Sequence, residues 1–248
     1  MDLIEALRTT GAVREFDGTP VPDDVLYRVL DTARFAPNGG NRQAWRVVVV
    51  QDPAIRAAVR DLYLLHWYDY LAMAAAGLTP FAPVHDPDAE AAAVARVDEV
   101  RAQAAASSRA FAEHVDDVPV LLALLADLRS LAAMDRGFDR YTLIGGASIY
   151  PFAWSILLAA HAEGLGGVLT TVAIREEGAI EALLGAPPEL CVAGVMALGY
   201  PTRRATRLRR RPVESFATID AVDGPVFTTP PSTALPSTAL SSEASGAE

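Results

Sequence analysis

Lysine is absent from all 248 residues; the 21 basic side chains are all arginine. Codon usage in a GC-rich genome is the plain cause, but the consequence is chemical. No lysine Schiff base can form, and an anion site must use guanidinium groups or backbone N–H donors. Cysteine is nearly absent too. Cys191 stands alone in an apolar run, with no disulfide or metal partner in the chain, and reads as a small core residue. A reducing, cytoplasmic setting fits that usage. The four histidines, His66, His85, His114 and His161, are scattered, so no metal site is expected. No strand–GxGxxG–helix, P-loop or G-x-S-x-G elbow is present. With no clear nucleophile–base pair, an enzyme built on this chain would rely on a bound organic cofactor.

The net charge is −10 and no basic stripe runs through the body of the chain, which argues against nucleic acid as the partner. The opening MDLIEALRTTG carries acids where a signal peptide needs a basic region. The charge-free run from Tyr141 to Ala160 is about long enough to span a bilayer. Gly145, Gly146, Ser148, Pro151 and Ser155 interrupt it, so it reads as a buried core helix and not as a membrane span. The length suits one large domain or two small ones, and the apolar fraction of 51% is ample for a core.

Periodicity predicts a short helix over Asp2 to Thr9. A second helix opens at Pro22 or Asp23, with Val25, Leu26, Val29, Leu30 and Ala33 on one face. A third starts at Asp52-Pro53 with Ile55, Val59 and Leu62 inward. His66 to Asp86 is crowded with aromatics and broken by Gly and Pro; a lid over a pocket and a packed helix with its loop both fit. Asp88 to His114 reads as one long Ala-rich helix. Strands are expected at Val47 to Val50, Val118 to Ala126, Val168 to Ile174 and Leu190 to Tyr200. Helices are expected at Tyr141 to Glu163 and Glu176 to Leu184. Arg203 to Arg211 holds six arginines, and the tail 225–248, with its PSTALPSTAL repeat, has little to bury and reads as disordered. Residues 1–224 would form the folded domain.

The stretch from Ala33 to Val50, ARFAPNGGNRQAWRVVVV, organises these pieces. A helix ends at Pro37, two glycines free the backbone, and Asn41, Arg42 and Gln43 lead into Trp45 and a strand. Such a turn offers amide donors and acceptors where backbone can approach a ligand. Together with Val13-Arg14-Glu15-Phe16 and Pro20-Val21-Pro22, it resembles the opening of the nitroreductase family of flavoproteins. Later segments resemble that family in the same order: Gly146-Ala147-Ser148-Ile149-Tyr150-Pro151, then Gly164-Leu165-Gly166 with Thr170-Thr171, then Leu198-Gly199-Tyr200-Pro201, then Arg210-Arg211-Pro212.

The resemblance implies an α+β fold with a mixed, mostly antiparallel central sheet flanked by helices. It implies a homodimer with FMN at the subunit interface and a C-terminal segment, here roughly Arg203 to Ile219, exchanged between subunits. By position, Arg14 matches the basic residue near the flavin pyrimidine edge or ribityl chain. Asn38 takes the place of a serine that reaches the flavin from the partner subunit, and Asn41 and Gln43 match the N-x-Q that follows. Gly166, Gly167, Thr170 and Thr171 match the strand that passes the ring near N5. Arg210, with Arg211 as the near alternative, matches the phosphate ligand.

Two departures stand out. Many members carry R-R-S or T-T-R where this chain has Thr10, Gly11 and Ala12, so an arginine and a serine that would hold phosphate are missing. Arg8, Thr10 or the Gly11 N–H are left to compensate. The central helix usually reads Q-N where this chain has Trp154-Ser155. The implied activity is FMN-dependent oxidation and reduction: NADH or NADPH reduces the flavin, which then reduces a small organic acceptor such as a nitroaromatic or quinone. A flavin-storing protein, a flavin-dependent tailoring dehydrogenase and a deazaflavin in place of FMN are the alternatives. No residue is assigned as an obligatory acid or base.

Overall fold

The computed structural model describes residues 2–105, 111–204 and 206–228. Helix α1, Leu3–Thr9, opens on Asp2, whose carboxylate accepts the N–H groups of Ile4 and Glu5. Helix α2, Asp23–Ala33, follows Pro22 and buries Leu26, Val29 and Ala33, the apolar face that its periodicity predicts. Strand β1, Trp45–Val50, leads to helix α3, Pro53–Ala75, capped by Asp52. Helices α4, Pro87–Val94, and α5, Val97–Ala105, precede strand β2, Val120–Asp127. Then come helix α6, Tyr150–Ala162, strand β3, Gly166–Thr170, helix α7, Glu177–Leu184, and strand β4, Leu190–Gly199.

The sheet order is β1-β2-β4-β3, and each of its pairings is antiparallel. All eight residues of β2 are buried. A strand buried on both faces alternates its side chains between two cores. Val120, Leu122, Leu124 and Ala126 join Val29 of α2 and Phe152 and Ile156 of α6. Leu121, Ala123 and Leu125 join Val59 and Tyr63 of α3 and Ile180 of α7. The architecture is α+β, with helices on both faces of the sheet. The parallel component expected of a mixed sheet is a single isolated bridge among the described residues, between Ala12 and Gly167.

Several boundaries differ from the sequence expectation. The helix expected over Asp88 to His114 is interrupted after Val94: the Arg96 carbonyl accepts the N–H groups of Glu99 and Val100 and so starts α5 afresh. Both pieces pack on α3, and tertiary contact outweighs alanine's preference for continuing. Part of that expectation falls on residues 106–110, outside the described residues. The helix expected from Tyr141 starts only at Tyr150, after a 3-10 turn over Ile144–Ser148. The buried Asp135 carboxylate takes the N–H groups of Leu143 (2.7 Å) and Ile144 (3.3 Å), which holds them out of the helix. The third strand runs Gly166–Thr170 and gives way to a 3-10 turn at Val172–Glu176, where a strand was expected to reach Ile174. The aromatic segment from His66 to Asp86 is a helix followed by a loop: α3 continues through its first part to Ala75, with Tyr68 buried and Trp67 stacked on Tyr70 at 5.4 Å. Gly77, at φ 79°, ends that run.

Ile144–Ala162 is long and apolar enough to cross a membrane by length and composition. Within it, Phe152, Ala153, Ile156, Ala159 and Ala160 are buried in the core of the chain itself. The described residues up to Leu208 form one compact unit and those from Arg209 onward a second. In the second, a 3-10 turn spans Val213–Ser215, and Pro225 to Phe227 turn back onto Ala217 to Ile219, with a Thr218–Val226 bridge. The rest of the tail expected to be disordered, residues 229–248, lies outside the described residues.

Two outcomes test this packing. A Cβ at Gly167 would sit 2.6 Å from the Ala197 carbonyl oxygen and against the Leu198 side chain. Gly167→Ala should therefore cost about 1–3 kcal/mol, read as a lowered urea midpoint. Asp127, at the end of β2, accepts hydrogen bonds from Arg129 Nε (3.0 Å) and Nη2 (2.9 Å), which hold its carboxyl down at about 2. Its folded value lies below the ordinary 3.8, so its contribution is present above that pH and is lost as pH falls towards about 2. Asp127→Asn should lower stability at neutral pH and flatten the fall of the urea midpoint over that acid window.

Candidate functional site

The segment after α1 is threaded into the sheet region by backbone pairing. Val13 N–H donates to the Gly167 carbonyl at 2.9 Å, Asp17 N–H to Tyr200, and Thr202 N–H to Glu15. The chain can lie this close because Gly166 lacks a side chain, while Gly167 packs against Leu198 and Leu157. A Cβ on Gly166 would stand 2.7 Å from Val13 Cγ2. The result is a cavity of about 520 Å3, with the Thr10 to Arg14 segment on one side and the glycines of β3, the end of α6 and residues 201–204 on the others.

Six of the expected site residues meet there: Thr10, Gly11, Ala12, Arg14, Gly166 and Gly167. Thr10 is buried, and its Oγ1 lies 2.8 Å from Nδ1 of His161. The Gly11 N–H makes no hydrogen bond among the described residues, so it remains a donor. Arg203 and Arg204 line the same cavity, and Arg204 donates to the Gly164 carbonyl. Burial and the positive charge of Arg204 push the His161 imidazole below its usual value, against an opposing pull from Glu5. A smaller cavity of about 360 Å3 shares Arg14, Glu15, Phe111 and Thr202 with it.

His161 and the pair Arg203-Arg204 were not among the sequence candidates. A signal existed for His161. It follows Leu157 by four residues, so the two share a helix face, and it is a polar side chain near the end of an apolar helix. Arg203 and Arg204 belong to the arginine-rich run that was noted, but only Arg210 and Arg211 were singled out.

The other expected residues are not lining residues of this cavity. Asn38, Asn41 and Gln43 lie on the loop between α2 and β1. There Asn38 Oδ1 accepts Gln43 N–H at 2.8 Å, and Ser148 accepts Gly39 N–H at 3.1 Å. Asn41 and Gln43 hold φ values of 52° and 51°, a left-handed conformation that a glutamine adopts only when its surroundings enforce it. Thr170 donates to the hydroxyl of buried Tyr63 at 3.2 Å, and Thr171 follows it at the end of β3. Arg210 and Arg211 belong to the second unit and are exposed; Arg210 donates to the Arg209 carbonyl. Among the described residues no group of three or more His, Cys, Asp or Glu side chains is gathered as a metal ion would need.

Comparison with known proteins gives the frame for this cavity. A model of the nitroreductase family matches residues 7–200. A protein of Thermus thermophilus named NADH dehydrogenase is 30% identical over 203 residues, which is 82% of this chain and 88% of the relative. A 5,6-dimethylbenzimidazole synthase of Rhodobacter capsulatus is 29% identical over 199 residues, 80% of this chain and 83% of that protein. Among solved structures, an oxidised iodotyrosine deiodinase bound to FMN and 3-iodo-L-tyrosine shares the fold at a TM-score of 0.57 and 22% identity, covering 86% of this chain and 96% of its own. The family match takes in the Thr10 to Arg14 segment, the Asn38 loop and the glycines of β3 alike. The chain belongs to the nitroreductase family.

Proposed function

We propose that the protein is an FMN-dependent oxidoreductase in which NADH or NADPH reduces the flavin, and a small organic acceptor, such as a nitroaromatic or quinone, then takes the electrons. The observation that carries this reading is the cavity that brings Thr10, Gly11, Arg14, Gly166 and Gly167 together. Its volume lies in the ordinary range of cofactor sites. Its donor set suits FMN: guanidinium groups, a hydroxyl and a spare backbone N–H are what a phosphate and a polar ring edge require. Bound FMN would supply hydride acceptance and the onward transfer of two electrons.

The protein's own contribution is binding and charge. Arg14 supplies a fixed positive charge for the pyrimidine edge, which becomes negative on reduction. Thr10, Gly11 and the arginines at the cavity hold the phosphate end. Gly166 lets the Ala12-Val13 backbone close the wall. The strained Asn38 to Gln43 loop, with Thr170 and Thr171, would contribute in a homodimer, with the loop serving the partner's flavin. Arg210, or Arg211 beside it, would add to the phosphate site. Exposed apolar side chains support the dimer: Leu143 is 72% and Tyr141 65% exposed, and Tyr150 and Trp154 on α6 stand out as well. The relatives named as dimethylbenzimidazole synthase and iodotyrosine deiodinase favour a second reading, a flavin enzyme that tailors or dehalogenates its organic substrate.

Anaerobic mixing with NADH or NADPH should bleach the flavin band of the purified protein. Bleaching by dithionite but by neither nicotinamide would overturn the reductase reading in favour of the second one. Arg14→Ala should lower the flavin midpoint potential and slow reduction about tenfold, with a smaller effect on binding of oxidised FMN. Light scattering at low micromolar concentration should return a dimer, and a flavin-bound monomer would contradict that assembly.

A further inference from the structure

The phosphate end of the cavity departs from the family pattern at Thr10, Gly11 and Ala12, and the structure shows what faces that gap. His161, from the last turn of α6, reaches the Thr10 hydroxyl through Nδ1 at 2.8 Å. Its other nitrogen, Nε2, has no hydrogen-bond partner among the described residues, and both side chains line the cavity. We infer that Thr10 and His161 form a proton-dependent phosphate clamp, in which His161 binds the FMN phosphate as imidazolium. This rests on the flavin reading above and assigns the phosphate end of that site to residues outside the family pattern.

The argument is one of hydrogen-bond bookkeeping. In a neutral ring, either the Thr10 hydroxyl donates to a bare Nδ1 or Nδ1–H donates to Oγ1. Protonation removes the choice. Nδ1–H must donate to Oγ1, so the Thr10 hydroxyl hydrogen is released from the ring and Nε2–H is present as well. One added proton thus raises the outward donors from one to two and adds a positive charge, which suits a dianionic phosphate.

Burial favours the neutral His161 ring. Arg204 opposes protonation and Glu5 of α1 favours it, but burial dominates and holds the ring below its usual value. Arg14, Glu15 and Arg203 also line the cavity, and Arg8 stands in the last turn of α1. On the α2 side, Arg28 is occupied by Glu163 and Asp24. A phosphate added to this set reverses the balance, so binding takes a proton from solvent. The second ionisation of a phosphate monoester lies at about 6, so the free ligand is already a dianion at pH 7.5 and cannot supply that proton.

Titration calorimetry at pH 7.5, in two buffers of different ionisation heat, tests this directly. FMN should bind with uptake of about one proton, and riboflavin with none. FMN affinity should fall roughly fifty- to a hundredfold between pH 6.5 and 8.5 while riboflavin affinity stays flat. His161→Gln should abolish the uptake and the slope, and Thr10→Val should weaken FMN about tenfold without touching riboflavin. FMN binding with no proton uptake, or with the same uptake in His161→Gln, overturns the clamp and leaves the flavin reading standing. Binding of neither flavin by the wild-type protein overturns both. The wild-type comparison of FMN with riboflavin decides the matter even if a variant fails to fold.

Discussion

A strand with no exposed residue must be covered on both faces, and that constraint on β2 sets much of the rest of the structure. Its even-numbered side chains need one apolar layer and its odd-numbered ones another. Helices α2 and α6 supply the first, α3 and α7 the second. Strands β1 and β4 flank β2 and satisfy its backbone, with a register shift between Leu124 and Leu125 on the β4 side. The covering requirement accounts for the side of α6 that meets the sheet core, while Tyr150 and Trp154 remain outside it.

The site follows from the edge of this arrangement. Strand β3 pairs with β4 on one side, and among the described residues its outer edge takes only the short parallel bridge to Ala12. An edge strand offers unpaired backbone groups. The segment after α1 uses one of them, and the glycine at 166 makes the approach close enough to shape a cavity. The polar wall of that cavity is therefore built by backbone placement, and the side chains of Thr10, Arg14 and His161 are carried into it by elements fixed elsewhere. Under the proposed reading, the protein orients and tunes a flavin that carries the chemistry.

Much of this was legible in the sequence. The apolar runs of β2 and β4 and the apolar face of α2 announced a buried sheet between helices, and the Arg14, Asn38 and Gly166 motifs located the family. Boundaries were less legible where a tertiary contact decides them. Nothing local says that Asp135 will take the Leu143 and Ile144 N–H groups and delay α6 to Tyr150, or that an alanine-rich run will break at Arg96. His161 was missed for a related reason. A motif match marks the positions a family shares, whereas His161 matters only because Thr10 stands where an arginine or serine is usual, and 151 residues separate the two. Their pairing exists only in three dimensions.

The central claim is that the Thr10 to Arg14 segment and the β3 glycines enclose a flavin. A crystal structure grown in the presence of FMN tests it most directly. The account predicts flavin density along that cavity, with the phosphate within hydrogen-bond reach of Thr10 and His161 and the ring edge towards Arg14. An ordered flavin bound elsewhere on the protein, with this cavity filled by solvent, would contradict it.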